Sequence, residues 1–306
     1  MEQLSIQQVS KIYRKSKIVA NNKISAHFFP GEIVAITGHN GAGKSTLLNQ
    51  IIGLTKPSSG EITYKDHSLI RERKLTRQVV SMMPQLHAPL NGVSIRQAIQ
   101  SILKVRGLNT KESIEETNKI LVELQIEDWA DQQGQVLSGG LQRLTSFAMS
   151  VAAPPPILLL DEPTNDVDPV RRKIIWKHLR KLANRGHIIV VVTHNLLEVE
   201  QFSDRYLILN KGEVIKDTYV RDDKEQEKNI SKLIVYVKKK LADQICPQVF
   251  SYEFIEEELR YEMILDNDQI ESAIHWLVKQ RKENSIYDYK LAPVSLDDIY
   301  GGLTHG

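Results

Sequence analysis

Nine consecutive residues, Gly38-His39-Asn40-Gly41-Ala42-Gly43-Lys44-Ser45-Thr46, carry the spacing of a phosphate-binding P-loop. The residue types account for the chemistry. Glycines let the backbone curl until successive N–H groups and a helix N-terminus converge on phosphate oxygens. Lys44 adds a positive charge at the β- and γ-phosphates, and the Ser45 hydroxyl is a ligand for Mg²⁺. A second group completes such a site. The apolar run Ile157-Leu158-Leu159-Leu160 ends in Asp161-Glu162, so a buried strand delivers Asp161 to hold Mg²⁺ through its water shell. Glu162 is then placed to orient an attacking water or accept its proton. An acidic pair after an apolar strand is commonplace alone; the P-loop gives it meaning.

These groups need a scaffold, and the pattern supplies one. Pro30-Gly31 is a turn signal, after which residues 32–37 read as a buried strand running into the P-loop and a helix over 44–52. Residues 4–9 alternate as a half-buried strand, and a short strand at 61–64 follows the turn at 57–60. From about 92 to 153 the period becomes helical. Ser94 caps a helix carrying Ile95, Ile99, Ile102 and Leu103, ended by Gly107, and Thr110 caps a second with Ile114, Thr117, Leu121 and Leu124. Pro154-Pro155-Pro156 stops this region. Strands at 157–160 and 188–192 then flank a helix over 170–183, which predicts a largely parallel α/β sheet. The charged stretch 221–228 reads as a linker. Beyond it, strands at 233–237, 259–265 and 285–290 with a helix over 269–279 make a small α+β domain.

Composition narrows the class. With 41% hydrophobic and 25% charged residues, the chain reads as an ordinary globular protein. Residues 221–306 hold 12 basic and 17 acidic side chains, a balance of −5, against +2 for the whole chain. The first 220 residues are therefore basic, which suits a polyanionic ligand. No polybasic arm or basic–aromatic ladder is present, so nucleic acid is not indicated. The single cysteine, Cys246, excludes an intrachain disulfide framework and reads as a packing residue. Met1-Glu2-Gln3-Leu4-Ser5 lacks the regions of a secretory signal. No apolar run approaches the ~18 residues that would cross a bilayer. Work at a membrane would need other chains to span it.

Leu137-Ser138-Gly139-Gly140, between the P-loop and Asp161, resembles the signature motif of the ABC (ATP-binding cassette) ATPases. Further motifs of that family fall in order. Tyr13 matches the aromatic that stacks on adenine. Gln85, in Met83-Pro84-Gln85, matches the Q-loop glutamine that touches Mg²⁺ and senses the membrane partner. Residues 163–168 match the D-loop region, with Asp168 as its acidic residue, and His194 matches the switch histidine at the γ-phosphate. The resemblance covers about residues 2–217. It implies a P-loop NTPase cassette over residues 1–220: a RecA-like core with a mostly parallel sheet, N-terminal antiparallel strands and an inserted helical subdomain at about 86–153. Residues 221–306 are left as a small C-terminal α+β domain. One departure stands out: the position after Gly140 is normally glutamine and here is Leu141. In the family the phosphate contacts come mainly from backbone N–H groups and the serine, here Ser138, so the motif is expected to function, and what Leu141 leaves open is the efficiency of the contact in trans.

The resemblance also implies a mechanism. Two cassettes, identical or homologous, meet head to tail, and Ser138, Gly139 and Gly140 of one cover the ATP held by the other. Lys44, Gln85, Glu162 and His194 carry out hydrolysis to drive an ABC transporter from the cytoplasmic face of a membrane. Gln85 and the helical region near 86–105 dock on integral membrane permease subunits. The tail at 293–300 is similar to that of bacterial ABC-2-type exporter ATPases, which favours export over import. Two other classes stay open. A soluble ABC ATPase of ribosomes or DNA is disfavoured by the single P-loop and the lack of sustained heptads. A purely regulatory ATP-binding module is disfavoured by Glu162 and His194.

Overall fold

The structure is a computed structural model that describes residues 2–13, 16–86, 90–227, 230–241 and 252–294, with Leu296 and Asp298. Cys246 lies outside the described residues, as do Ser295, Asp297, Ile299 and Tyr300 of the tail. The chain divides into two compact units, Met1–Thr218 and Tyr219–Gly306. Among the described residues no helix is long and apolar enough to cross a membrane.

The first unit runs β1 (Leu4–Tyr13), β2 (Ile18–Phe28), β3 (Ile33–Thr37), α1 (Lys44–Ile51), β4 (Ser59–Tyr64), β5 (His67–Ser68), α2 (Arg73–Val79) and β6 (Val80–Met83). It continues with α3 (Ile95–Val105), α4 (Thr110–Leu124), α5 (Gly139–Val151), β7 (Ile157–Asp161), α6 (Pro169–Ala183), β8 (Ile188–Val192), α7 (Leu196–Phe202), β9 (Arg205–Asn210) and β10 (Glu213–Tyr219). An antiparallel sheet has the order β2-β1-β4-β5, and a six-stranded sheet has the order β10-β9-β3-β8-β7-β6. In the latter, β3 pairs parallel with β8 and β9, and β7 pairs parallel with β6 and β8. The fold is that of a P-loop NTPase.

The central strands read as unbroken apolar runs because both sheet faces are covered. Successive side chains on β7 divide between two cores: Ile157 and Leu159 pack with α1 residues Leu47, Leu48 and Ile51, while Leu158 and Leu160 pack with Phe147, Trp176 and Leu179. That is the period of two of a strand. At about 1.5–3 kcal/mol for each fully buried Leu or Ile, one such strand anchors both layers. The second core also takes Ile99, Leu103, Ile120, Leu121 and Leu124 of α3 and α4, so the helical insertion is welded to the sheet.

Helix starts follow side-chain chemistry. Ser94 and Gln97 form a capping box at α3. At α4 the cap is Asn109, paired reciprocally with Glu112, rather than Thr110. An Asn carbonyl one residue earlier satisfies the same N–H groups, and it turns Ser113, Thr117 and Ile120 inward while Ile114 is 44% exposed.

The second unit contains α8 (Val220–Glu227), β11 (Ile230–Val237), β12 (Tyr252–Ile255), β13 (Arg260–Asp266), α9 (Ile270–Lys282) and β14 (Ile286–Pro293). A helix therefore stands where the charge run predicts a linker. Lys, Glu and Gln are good helix formers, and Asp222 and Asp223 in the first turn suit the helix dipole. The sheet order is β12-β13-β11-β14, and neighbouring strands pair antiparallel. Leu233, Val235, Tyr261, Met263 and Leu265 pack with Ala273 and Leu277 of α9. Lys232 and Arg260 both pair with Glu262, at 2.6 and 2.7 Å.

Candidate functional site

Parallel topology gathers the motifs. The strands β3, β8, β7 and β6 are consecutive neighbours in the sheet. Their C-terminal ends lead into the P-loop after Thr37, His194 after Val192, Glu162 after Asp161, and Gln85 after Met83. Open α/β sheets bind ligands in the crevice beyond these ends. Here a cleft of about 370 Å³ is lined by Tyr13, Asn40, Gly41, Gly43, Lys44, Ser45, Thr46, Gln85, Asp161 and Glu162, together with Ile18, Ala20 and Val192.

The P-loop is held from behind. The Gly212 N–H donates to the Ala42 carbonyl at 3.1 Å, and the Ala42 N–H to that of His39 at 3.0 Å. Gly43 has φ +102°, and a Cβ there would lie 2.1 Å from the Ala20 carbonyl oxygen, so only glycine fits. Asn21, fully buried, donates to the Gly43 carbonyl at 3.1 Å and accepts from Gln50 Nε2 at 2.6 Å. Lys44, 9% exposed, donates its Nζ to the carbonyls of Gly38 at 2.6 Å and His39 at 3.0 Å. Burial pulls the Lys44 ammonium below the usual lysine value, while Glu162 and Asp161 push it back.

The acidic pair is buried, with Asp161 3% and Glu162 6% exposed. Burial pushes Asp161 above the usual aspartate range, against the Ser45 hydroxyl within hydrogen-bonding range and the charges of Arg143 and Lys44. Glu162 sits in the left-handed region at φ +53°, a cost of about 1–3 kcal/mol that a scaffold must offset. Its N–H donates to the Val192 carbonyl at 2.9 Å. Oε1 lies 2.9 Å from His194 Nδ1, and Oε2 finds no partner among the described residues. The fork of Arg143 takes the Glu162 carbonyl, with Nε at 3.0 Å.

Other expected residues stand outside the cleft lining. Ser138 caps α5, its hydroxyl accepting from the Leu141 N–H at 3.4 Å, and Ser138 and Gly139 are exposed. A Cβ on Gly140 would lie 2.7 Å from the Asp166 carbonyl oxygen, which fixes α5 against the loop after Glu162. Asp168 caps α6, accepting from the N–H groups of Val170 and Arg171 at 3.1 Å each. Slight burial opposes its ionisation, but the hydrogen bonds from Arg171 outweigh it and hold Asp168 below the usual aspartate range. Leu141, where glutamine is usual, is 8% exposed and packs in the core beside Leu144 and Phe147.

Three supporting residues escape the sequence reading: Asn21, Arg143 and Glu198. Glu198 accepts from Thr164 Oγ1 at 2.7 Å and Trp176 Nε1 at 3.0 Å, tying the loop after Glu162 to α7. Only Arg143 leaves a signal in the sequence, a charge among the apolar residues of α5.

Comparison with known proteins agrees with this geometry. The sequence profile of the family described as ABC transporter matches residues 21–165. The Nod factor export ATP-binding protein I of Rhizobium etli is 31% identical over 217 residues, which cover 71% of this chain and 68% of that protein. This chain belongs to the ABC transporter family. It is an ATP-binding ATPase cassette of that family. The human cholesterol transporter ABCA5 is 34% identical over 69% of the chain, but the match spans only 13% of that protein's length. Among solved structures, the dimeric cassette MJ0796 in a post-hydrolysis state bound to ADP and Pi is 28% identical, with a TM-score of 0.65. That likeness covers 71% of this chain and 99% of the other.

The cassette's close contact at Gly140 makes a prediction. Gly140→Ala is expected to lower stability by about 1–3 kcal/mol through overpacking, at roughly 2–4 °C in Tm per kcal/mol. Because Gly140 does not line the cleft, ATP affinity measured calorimetrically on the single cassette is expected to stay near wild type. An unchanged melting curve would mean that the loop after Glu162 yields freely.

Proposed function

We propose that this chain is the ATP-hydrolysing subunit of an exporter, working as a head-to-tail dimer with a second cassette and docked on integral membrane permease subunits. The observation that carries the reading is how the motifs divide. One cleft collects Tyr13, the P-loop, Gln85, Asp161 and Glu162, while the helix N-terminus at Ser138 and Gly139 stays exposed outside it. Such a terminus is complementary to the phosphates of a second cassette. The dimeric MJ0796 cassette and the Nod factor export relatives support the same reading. Residues 1–220 form the nucleotide-binding domain, its helical part spanning about 86–153, and residues 221–306 an accessory domain. The assembly sits on the cytoplasmic face of the membrane.

In this reading Tyr13 stacks on adenine, and the N–H groups of residues 38–46 cradle the phosphates. Lys44 exchanges its carbonyl contacts for β- and γ-phosphate oxygens. Ser45, Asp161 and Gln85 suit Mg²⁺, which binds proteins through one or two carboxylates and keeps several waters. A dication also offsets the burial that disfavours the Asp161 charge. When bound, Mg²⁺ neutralises charge developing on the phosphate oxygens. Oε2 of Glu162, which has no partner among the described residues, accepts a proton from the water attacking the γ-phosphorus. The bond to the β–γ bridging oxygen breaks, and ADP and phosphate remain. His194, with Nδ1 against Glu162 Oε1, serves as the switch histidine at the γ-phosphate, which it contacts through a ring N–H. Ser138, Gly139 and Gly140 serve the partner's nucleotide, and Asp168 acts by anchoring α6 beside the interface.

Tyr13→Ala is expected to weaken ATP binding by about 1 kcal/mol, roughly five-fold in Kd, and to narrow the preference for ATP over GTP. Calorimetric titration with both nucleotides, alongside Tyr13→Phe, measures this; equal loss in the Phe variant would remove stacking as the cause. The reading as a whole is tested by purifying the tagged full chain from detergent-solubilised host membranes. A stoichiometric multi-spanning partner is expected. Recovery of ribosomes or DNA-bound factors without a membrane protein would overturn the transporter role while leaving the ATPase intact.

A further inference from the structure

The end of β6 and the end of β7 each leave carbonyl groups beyond the last rung of the parallel ladder. One buried side chain collects them. Arg143, 2% exposed, lies on α5 one and a half turns past Ser138. Its Nε donates to the Glu162 carbonyl at 3.0 Å and its Nη1 to the Pro84 carbonyl at 3.2 Å. Nη1 also reaches the Gln85 carbonyl, and Nη2 those of Asp161 and Glu162. A single guanidinium thus binds four backbone carbonyls from two loops far apart in sequence.

The chemistry is particular to arginine. Its five donors lie in one rigid plane, whereas lysine offers three on a point charge. Burial draws Arg143 below the usual arginine value, and Asp161, Glu162 and Asp166 compensate. The carbonyl that takes two of its donors, Nε and Nη2, belongs to Glu162, the residue held at φ +53°. Release of that carbonyl lets the turn relax and swings the carboxylate away from His194.

We propose that Arg143 is a positioning residue for hydrolysis, holding the Glu162 turn and the Gln85 loop in fixed register so that α5 sets the aim of the Glu162 carboxylate. Arg143 does not line the nucleotide cleft, so its effect falls on turnover and not on nucleotide binding. The proposal rests on Glu162 as the hydrolytic carboxylate.

The test compares wild type, Arg143→Lys, Arg143→Gln and Glu162→Gln in the full chain, measuring ADP affinity by calorimetry and kcat by phosphate release at saturating ATP and Mg²⁺. Glutamine is included because it removes the buried charge that a misplaced lysine leaves unpaired. The expected result is ADP affinity within about two-fold of wild type and kcat lowered roughly 10²-fold, as for a misplaced catalytic group. Lysine is expected to retain more turnover than glutamine. Nucleotide-binding variants with wild-type kcat overturn the proposal. Loss of binding and turnover together in both variants also overturns it, because Arg143 then serves the fold alone. Wild-type hydrolysis by Glu162→Gln instead overturns the assignment of Glu162, whatever the Arg143 variants do.

Discussion

Glu162→Gln is expected to lower kcat by roughly 10²–10⁴-fold while leaving ATP affinity close to wild type. The substitution keeps the shape of a side chain that is 6% exposed, and it removes the charge that accepts a proton. Oε2, without a partner among the described residues, is where the loss is felt, because an amide nitrogen there donates where a carboxylate accepts. The proposed phosphate-binding groups, Lys44 and the P-loop N–H groups, are untouched. ATP should therefore bind and persist, and a closed pair of cassettes should accumulate. Phosphate release at saturating ATP and Mg²⁺, with size-exclusion chromatography of the same sample, reads both effects. Normal hydrolysis would show that another group takes the proton. Lost hydrolysis without any dimer would separate the catalytic assignment from the dimer mechanism.

Lys44→Ala is expected to remove tight ATP binding. Truncating one partner of a buried charged contact costs about 2–5 kcal/mol, which is roughly 30-fold or more in Kd. Two losses combine at this position. The ammonium is the proposed cationic partner of the phosphates, and it also ties the loop through the Gly38 and His39 carbonyls. Lys44→Arg separates them, since it keeps the charge but brings a longer, forked head that cannot repeat both carbonyl bonds. Calorimetric titration of ATP and ADP is the measurement. Affinity unchanged in the alanine variant would end the assignment of residues 38–46 as the phosphate cradle.

Legibility in the sequence varied with how local each feature is. The P-loop, the β7 strand and the Ser94 cap depend on neighbours within a few residues, so spacing and residue type reveal them. The strand β2 is hidden in the sequence because buried Ala20-Asn21 and exposed Asn22-Lys23 break its alternation, and its pairing with β1 shifts register three times. The helix α8 was hidden for another reason: a dense charge run is compatible with either a solvated helix or a linker. The cap at α4 moved to Asn109 because adjacent residues of similar chemistry compete for the same N–H groups.

The amino-acid sequence alone determined the chemical inventory: a P-loop motif, a buried acidic pair, a glutamine, a histidine and a glycine-rich helix start. It also determined most of the strands and helices that carry them, β6 before Gln85 excepted, because hydrophobic period and capping are local properties. Tertiary structure alone decided which of those groups share a cleft. The order β3-β8-β7-β6 brings together loops more than a hundred residues apart in the chain, and no local pattern encodes that order. It also decided the supporting cast. Asn21 behind the P-loop, Arg143 across four carbonyls and Glu198 between the loop after Glu162 and helix α6 act through contacts made only when distant segments pack. A buried polar side chain takes its role from the partners that satisfy it, and those partners are supplied by the fold.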